Sequence, residues 1–325
     1  MRRRNGVQGI DHRIMSKRQW ALAAIIACVL FWGFSFISIK VTVAVFPPMS
    51  LGMLRFALAI VFLYFIKRKL APKEKLKLRD IPLLFAAGFI GVTLYFFCEN
   101  NGVALVSASE ASIAIGSIPV LTMIADWLGG KIAGRYRKGK TGPRIGAFQW
   151  LGSFISIAGV WLVAGVTLAL SGSVLGYIYM AGAALSWVAY SFLTRSLFKR
   201  CSRIYIVFWQ SVAGFLCFIP FAAFELPRWG SPGLAVILHL VFLGICCSAL
   251  GYWFYVQALE DLGVTVSVIF INMIPVITVI FGFFTLGDRL SPLQWLGAAL
   301  VVAGVYLAMW EKKKKPENSE QSKKA

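Results

Sequence analysis

The sequence predicts an all-α membrane protein with ten transmembrane helices arranged as two inverted five-helix repeats. Three observations lead there: ten long apolar runs, a one-sided distribution of basic residues between them, and an internal duplication. Of the 325 residues 59% are hydrophobic and only 14% charged, with a mean hydropathy of +0.76. A water-soluble domain of this length carries far more polar surface.

A spanning helix needs about 20 mainly apolar residues. Such runs fall at 20–41, 49–66, 81–103, 106–128, 147–169, 174–194, 204–224, 233–256, 263–286 and 291–310. They are continuous rather than alternating, and longer than the strands of a membrane barrel. The run after Lys17-Arg18 has no small-residue cleavage pattern at its end, so it reads as a retained first span rather than a signal peptide.

The net charge of +20 resembles that of a nucleic-acid binder, but its placement points to topology instead. With the N-terminus cytoplasmic, 29 of the 33 Lys and Arg fall on the cytoplasmic side, and only Arg228 and Arg289 on the other. Lys40 and Arg55 lie within spans. This is the positive-inside pattern of a multi-pass protein of the cell membrane with both termini cytoplasmic. The expected partners are a small-molecule solute and the bilayer, with anionic lipid at the basic tail Lys312–Lys315, Lys323 and Lys324. No nucleic-acid partner is expected.

Displacing the chain by 155 or 156 residues lines up its two halves. Trp32 through Lys40 meets Trp187 through Arg195, each starting with Trp and ending with a cation. Ser117–Ile124 meets Met273–Ile280 with five of eight positions identical. At a displacement of 145, Gln149-Trp150-Leu151-Gly152 meets Gln294-Trp295-Leu296-Gly297. The division is therefore a cytoplasmic segment 1–19, a first repeat 20–169, a second repeat 170–310 and a basic tail 311–325. Five is odd, so the second repeat must enter the membrane from the opposite side, an arrangement typical of secondary transporters.

The duplicated segments resemble those of the EamA-type drug/metabolite transporters. The likeness is carried by Trp32-Gly33 to Lys40, Pro48 with Leu54-Arg55-Phe56, Glu99-Asn100, Ser107–Ser112, Ile118-Pro119-Val120, and Leu286–Ser291 with Gln294, Leu296-Gly297 and Ala303-Gly304-Val305. Asp288 departs from it where the family usually has Glu, and the basic stretch 131–144 is longer than usual. The resemblance implies ten spans, a substrate path between the halves, and a solute drawn from amino acids, amines, sugars or drugs.

Pro119 and Pro275 occupy matched mid-span positions, and each removes a backbone donor opposite the carbonyl four residues back, Ile115 or Ile271. Interrupted helices at corresponding places in two halves point to a binding site, with a packing kink as the alternative. Deep polar and aromatic residues supply the other cavity candidates: Trp32, Ser35, Tyr95, Asn100, Ser112, Trp187, Tyr190, Tyr252, Trp253, Gln257 and Asn272. Lys40, Arg55, Glu99 and Glu110 form a candidate outer gate or coupling layer, and Arg195, Gln210, Glu260 and Asp261 its inner counterpart, against the alternative that each snorkels to the headgroups. Small residues along spans 5 and 10 (Gly152, Ser156, Gly159; Gly297, Ala303, Gly304) allow close helix contact within one chain or between two.

These features predict a secondary transporter that moves a small metabolite, an amino acid or related solute, by alternating access, in the export direction. A lipid flippase of the same superfamily is the alternative. An integral-membrane enzyme is disfavoured, because two distant histidines and no HExxH leave no catalytic or metal set. No nucleotide loop of the GxxxxGK[ST] kind is present, and no cofactor is expected.

Overall fold

The computed structural model describes residues 16–136, 146–163, 173–286 and 291–309. The expectations that fall on Asp288, Arg289 and the basic tail lie outside the described residues, as does most of the basic stretch 131–144. Among the described residues the chain is helical throughout, with no strands. We number the helices α1 (Lys17–Val43), α2 (Pro48–Leu70), α3 (Leu78–Leu105), α4 (Ala108–Ile115 continued by Ile118–Tyr136), α5 (Ala147–Val163), α6 (Val174–Leu197), α7 (Arg203–Glu225), α8 (Leu234–Asp261), α9 (Val264–Ile269, then Met273–Leu286) and α10 (Pro292–Ala308). Eight are long and apolar enough to cross a membrane, while α5 and α10 are shorter apolar helices.

Local chemistry sets where the helices start. Ser16 with Gln19, Ser107 with Glu110, and Ser291 with Gln294 each form a capping box, satisfying two otherwise orphaned amides apiece. Pro48 opens α2 at a position where no amide donor is needed. Gly263, at φ +84°, makes the reversal between α8 and α9 that a side chain would strain.

Two pairs of helices are irregular at matched places. Helix α3 widens into a π-helical stretch at Phe89–Leu94, and α8 does the same at Leu243–Gly251. Carbonyls in both stretches accept side-chain donors: Tyr252 Oη donates to Gly91 O at 2.7 Å and Trp32 Nε1 to Cys247 O at 3.1 Å. Close approach requires glycine there, since a Cβ on Gly251 would stand 2.7 Å from Trp32 Nε1, and one on Gly91 would enter the Tyr190 ring. Helices α4 and α9 are each interrupted just before the proline, at Gly116-Ser117 and at the 3₁₀ turn Phe270–Asn272. Pro119 and Pro275 therefore sit near the start of a new helical segment rather than bending a continuous one, which suits a residue with no donor.

Packing repeats the same correspondence. Helix α1 lies against α8 and α9, as α6 lies against α3 and α4; α2 packs on α8 as α7 packs on α3. The pairs α2·α7 and α5·α10 map onto themselves when the halves are exchanged. The α5·α10 seam is glycine-lined: a Cβ on Gly159 would lie 2.6 Å from Gly297 O, and one on Gly304 would lie 2.5 Å from Gly152 O. The small-residue stripes thus meet each other within one chain.

Polar contacts gather at the two ends of the bundle. At one end Arg18, Gln149, Asp261 and Met309 surround a common hollow. Arg203 pairs there with Glu260 and, at 2.6 Å, with Asp261, while Glu74 accepts from Ser202. At the other end, Glu225 accepts from the amides of Met49 (3.3 Å) and Ser50 (2.7 Å), Gly230 N donates to Val45 O, and Ser173 N to Leu105 O.

Candidate functional site

A narrow, water-sized cavity of about 20 Å³ lies where α1, α2, α3, α4, α6, α8 and α9 converge. Four pairs of its lining residues match by the repeat displacement, Trp32 with Trp187, Phe96 with Tyr252, Ile115 with Ile271, and Ile118 with Ile274, while Ser35, Phe36, Arg55, Tyr95 and Glu99 come from the first half alone. Ile115 and Ile271 carry the carbonyls that the two prolines cannot engage. The ring of Trp32 meets Trp187 edge-on at 5.1 Å, and Tyr95 and Tyr252 lie 4.8 and 5.4 Å from Trp187. Such rings give apolar walls with polar tips.

Two charged side chains break the apolar lining, Arg55 and Glu99, only 2% and 4% exposed. Arg55 Nε donates to Ser248 Oγ at 2.8 Å, and its guanidinium carbon lies 4.2 Å from the Phe96 ring centroid. Its Nη1 is buried with no hydrogen-bond partner. Glu99 accepts a hydrogen bond from Tyr95 Oη at 2.7 Å. The two charges face one cavity without an ion-pair contact between them.

Of the expected cavity residues, Trp32, Ser35, Tyr95, Trp187 and Tyr252 line the cavity. Tyr190 packs behind Trp187 at 5.1 Å and donates to Gln210 Oε1 at 3.2 Å. Asn100 ties α3 to α2 through Pro48 O at 2.8 Å, and Asn272 ties α9 to α5 through Ser156 Oγ at 2.8 Å. Pro119, Pro275 and Ser112 are buried but are not among the lining residues, whereas Trp253 and Gln257 are half-buried outside it. The expected gate layer divides. Arg55 and Glu99 sit in the cavity, while Lys40 donates to the carbonyls of Val103 and Val106, each at 2.9 Å. Glu110 caps α4 and accepts from Tyr177 Oη at 2.8 Å. In the inner set Arg195 faces Asp126 at 4.0 Å, Gln210 donates to Thr194 Oγ1 at 3.0 Å, and Glu260 and Asp261 share Arg203. His239 hydrogen-bonds Ser38 at 2.9 Å. Among the described residues no group of His, Cys, Asp and Glu could hold a metal ion.

The model of the EamA-like transporter family matches residues 19–135 and 174–310, most of the chain and one stretch in each half. This protein belongs to the EamA-like transporter family. It is accordingly a multi-pass membrane protein of a transporter family rather than an enzyme. Its similar relatives include an uncharacterized transporter of Archaeoglobus fulgidus, 26% identical over 90% of this chain and 99% of its own length. A probable terminal-alkyne amino-acid exporter of Streptantibioticus cattleyicolor is 26% identical over 90% of this chain and 93% of its own. A probable amino-acid metabolite efflux pump of Escherichia coli K12 is 26% identical over 90% and 95%. A solved crystal structure, 20% identical, superposes with a TM-score of 0.68 over 90% of this chain and 98% of that one, and so shares the fold.

For an EamA-like protein the residues that sequence reasoning missed are instructive. The apolar lining Phe36, Phe96, Ile115, Ile118, Ile271 and Ile274 carries no polar signal to mark it. Tyr255 accepts from Trp187 Nε1 at 2.9 Å and bonds Ser191 Oγ at 2.9 Å, holding that indole in place. It stands 156 residues after Glu99, so the overlay could have found it. Arg203, the hub of one bundle end, had no intramembrane position to draw attention to it.

Proposed function

We propose that this EamA-like protein is a secondary transporter that exports a small metabolite, an amino acid or related solute, by alternating access around the central cavity. The observation that carries the reading is the paired origin of the cavity wall, half by half, at Trp32/Trp187, Phe96/Tyr252, Ile115/Ile271 and Ile118/Ile274. A site walled by both of two similar units is one that rocking of either unit against the other can open to alternate sides. The exporter names of two relatives support the direction and the solute class.

The proposed topology is ten spans in two inverted five-helix repeats, 20–169 and 170–310. The described 17 residues of α5 and the 17 of α10 reach about 25 Å at 1.5 Å per residue, within spanning range. Running directions support inversion. Helix α1 leaves the end marked by Arg18 and Asp261 and arrives at the end marked by Val45 and Gly230. Helix α6 starts at that second end, beside Leu105, and finishes at the first, where Arg203 follows it. The first end carries Arg18, Lys67, Arg195 and Arg203, so it faces the cytoplasm of a cell membrane, with both chain termini on that side. Anionic headgroups there complement the basic tail.

The test is reconstitution of the purified protein in liposomes, screened with amino acids, amines and organic acids, with and without a pH gradient. Saturable uptake or efflux of at least one solute, lost on Trp32→Ala plus Trp187→Ala, is the expected result. Passive, unsaturable flux equal to that of empty liposomes for every solute sinks the reading.

A further inference from the structure

The repeat pairs four positions of each half in the cavity wall, but it does not pair the wall's charges. The position corresponding to Arg55 in the second half is Gln210, 155 residues on, and that corresponding to Glu99 is Tyr255, 156 residues on. Gln210 is engaged with Tyr190 and Thr194, and Tyr255 with Trp187 and Ser191. The second half's pair is thus neutral and satisfied, whereas the first half places a cation and an anion in the cavity wall.

Neither charge is fully answered by the protein. Arg55 has Ser248 at its Nε and the Phe96 ring over its guanidinium, but its Nη1 donors are buried without an acceptor. Glu99 has the Tyr95 hydroxyl. A buried guanidinium and a buried carboxylate usually close on each other, because each is costly to keep desolvated and unpaired. Here both line one cavity and no ion-pair contact joins them.

Resting on the transport reading above, we propose that Arg55 and Glu99 are the two poles of the substrate site, and that its ligand is a zwitterion: a carboxylate on Arg55, an ammonium on Glu99, and an apolar body against Trp32, Trp187 and Tyr252. A molecule with an ammonium and a carboxylate on one carbon supplies the Nη1 donors with an acceptor and Glu99 with a cation at once. A plain amine leaves Arg55 unanswered, and a plain carboxylic acid leaves Glu99 unanswered. Leaving a buried charged group without its partner is what makes such discrimination steep. The aromatic walls suit a side chain of moderate apolar bulk, since ligand cavities are mainly apolar with a few placed polar groups.

The experiment measures binding and counterflow of three probes that share one apolar body: phenylalanine, 2-phenylethylamine and 3-phenylpropionate. Wild-type protein is expected to favour phenylalanine by tenfold or more over either singly charged probe. Arg55→Gln should lose phenylalanine and gain relative preference for 2-phenylethylamine; Glu99→Gln should shift preference toward 3-phenylpropionate. Arg55→Lys, which keeps the charge, should retain the zwitterion preference and guards against a fold defect in Arg55→Gln. A general defect lowers all three probes together, so opposite shifts in the two variants are the decisive sign. Equal handling of the three probes by wild-type protein, or variants that scale all three alike, overturns the proposal. Should sugars or other uncharged solutes move while the three probes do not, the charge poles fall and the transport reading stands. Should no solute move at all, both fall.

Discussion

The glycine seam between α5 and α10 gives a prediction whose size can be worked from the backbone. A Cβ on Gly159 would lie 2.6 Å from both Gly297 O and Val301 N, and neither is the flexible end of a side chain. An ordinary carbon–oxygen contact is about 3.3 Å, so Gly159→Ala forces the helices apart by several tenths of an ångström. Strain of this kind costs about 1–3 kcal/mol. The same change at Gly129 on α4, where nothing lies within 4 Å, only relieves glycine's helix penalty and gains about 0.5–1 kcal/mol. Titrating the purified protein with SDS in mixed micelles, followed by tryptophan fluorescence, should therefore separate the two variants by about 1.5–4 kcal/mol. The partners of each crossing sharpen the test. A Cβ on Gly297 meets Gly159 O at 2.7 Å, so Gly159→Ala and Gly297→Ala strain one contact. Together they should cost less than the sum of the two, whereas Gly159→Ala with Gly304→Ala, at the other crossing, should come closer to additive. Equal stability of Gly159→Ala and Gly129→Ala refutes the close crossing.

Three further outcomes follow from contacts at the bundle ends. Glu225→Gln weakens a charged acceptor for the amides of Met49 and Ser50 and for Ser50 Oγ, and should cost about 1–2 kcal/mol in the same titration; no loss would show that this carboxylate does not hold the start of α2. Arg203→Ala removes the partner of Glu260 and Asp261, but with side chains 30%, 34% and 13% exposed it should cost only about 1 kcal/mol or less; a loss several times larger refutes the solvated reading. Burial, helped by the Asp80 and Glu74 carboxylates and opposed by Lys77 and Arg200, pushes the Cys201 thiol up to about 11. Because the thiolate is the nucleophile, maleimide labelling of a variant retaining only Cys201 should rise about tenfold per pH unit from pH 7 to 10. A plateau by pH 9 contradicts it.

Much of the helix order was legible because lipid imposes it: spans must be long and apolar, and basic residues concentrate beside them. The paired cavity residues were legible where an aromatic marks both halves, as at Trp32 and Trp187. The breaks in α4 and α9 were legible from proline chemistry, although their form was not. Each helix restarts just before its proline, at Ile118 and at Met273.

Part of what was hidden lies in helix phase. Side-chain direction along a span is read at 3.6 residues per turn, and a π-helical turn inserts an extra residue, rotating everything beyond it by about 100°. Glu99 follows the π stretch Phe89–Leu94. Expected in an outer layer with Lys40 and Glu110, its carboxylate lines the cavity beside Tyr95. Long cations add a second source of error. Lys40 reaches backbone carbonyls of Val103 and Val106 instead of a carboxylate, and those carbonyls are free to accept because α3 ends there. A charge inventory alone pairs cations with anions; a helix terminus offers the same stabilisation with no charged residue to announce it. The result leaves Arg55 and Glu99 as the charged residues in the cavity wall, in one half only. The wall thus repeats four positions in both halves and keeps its charged side chains in the first.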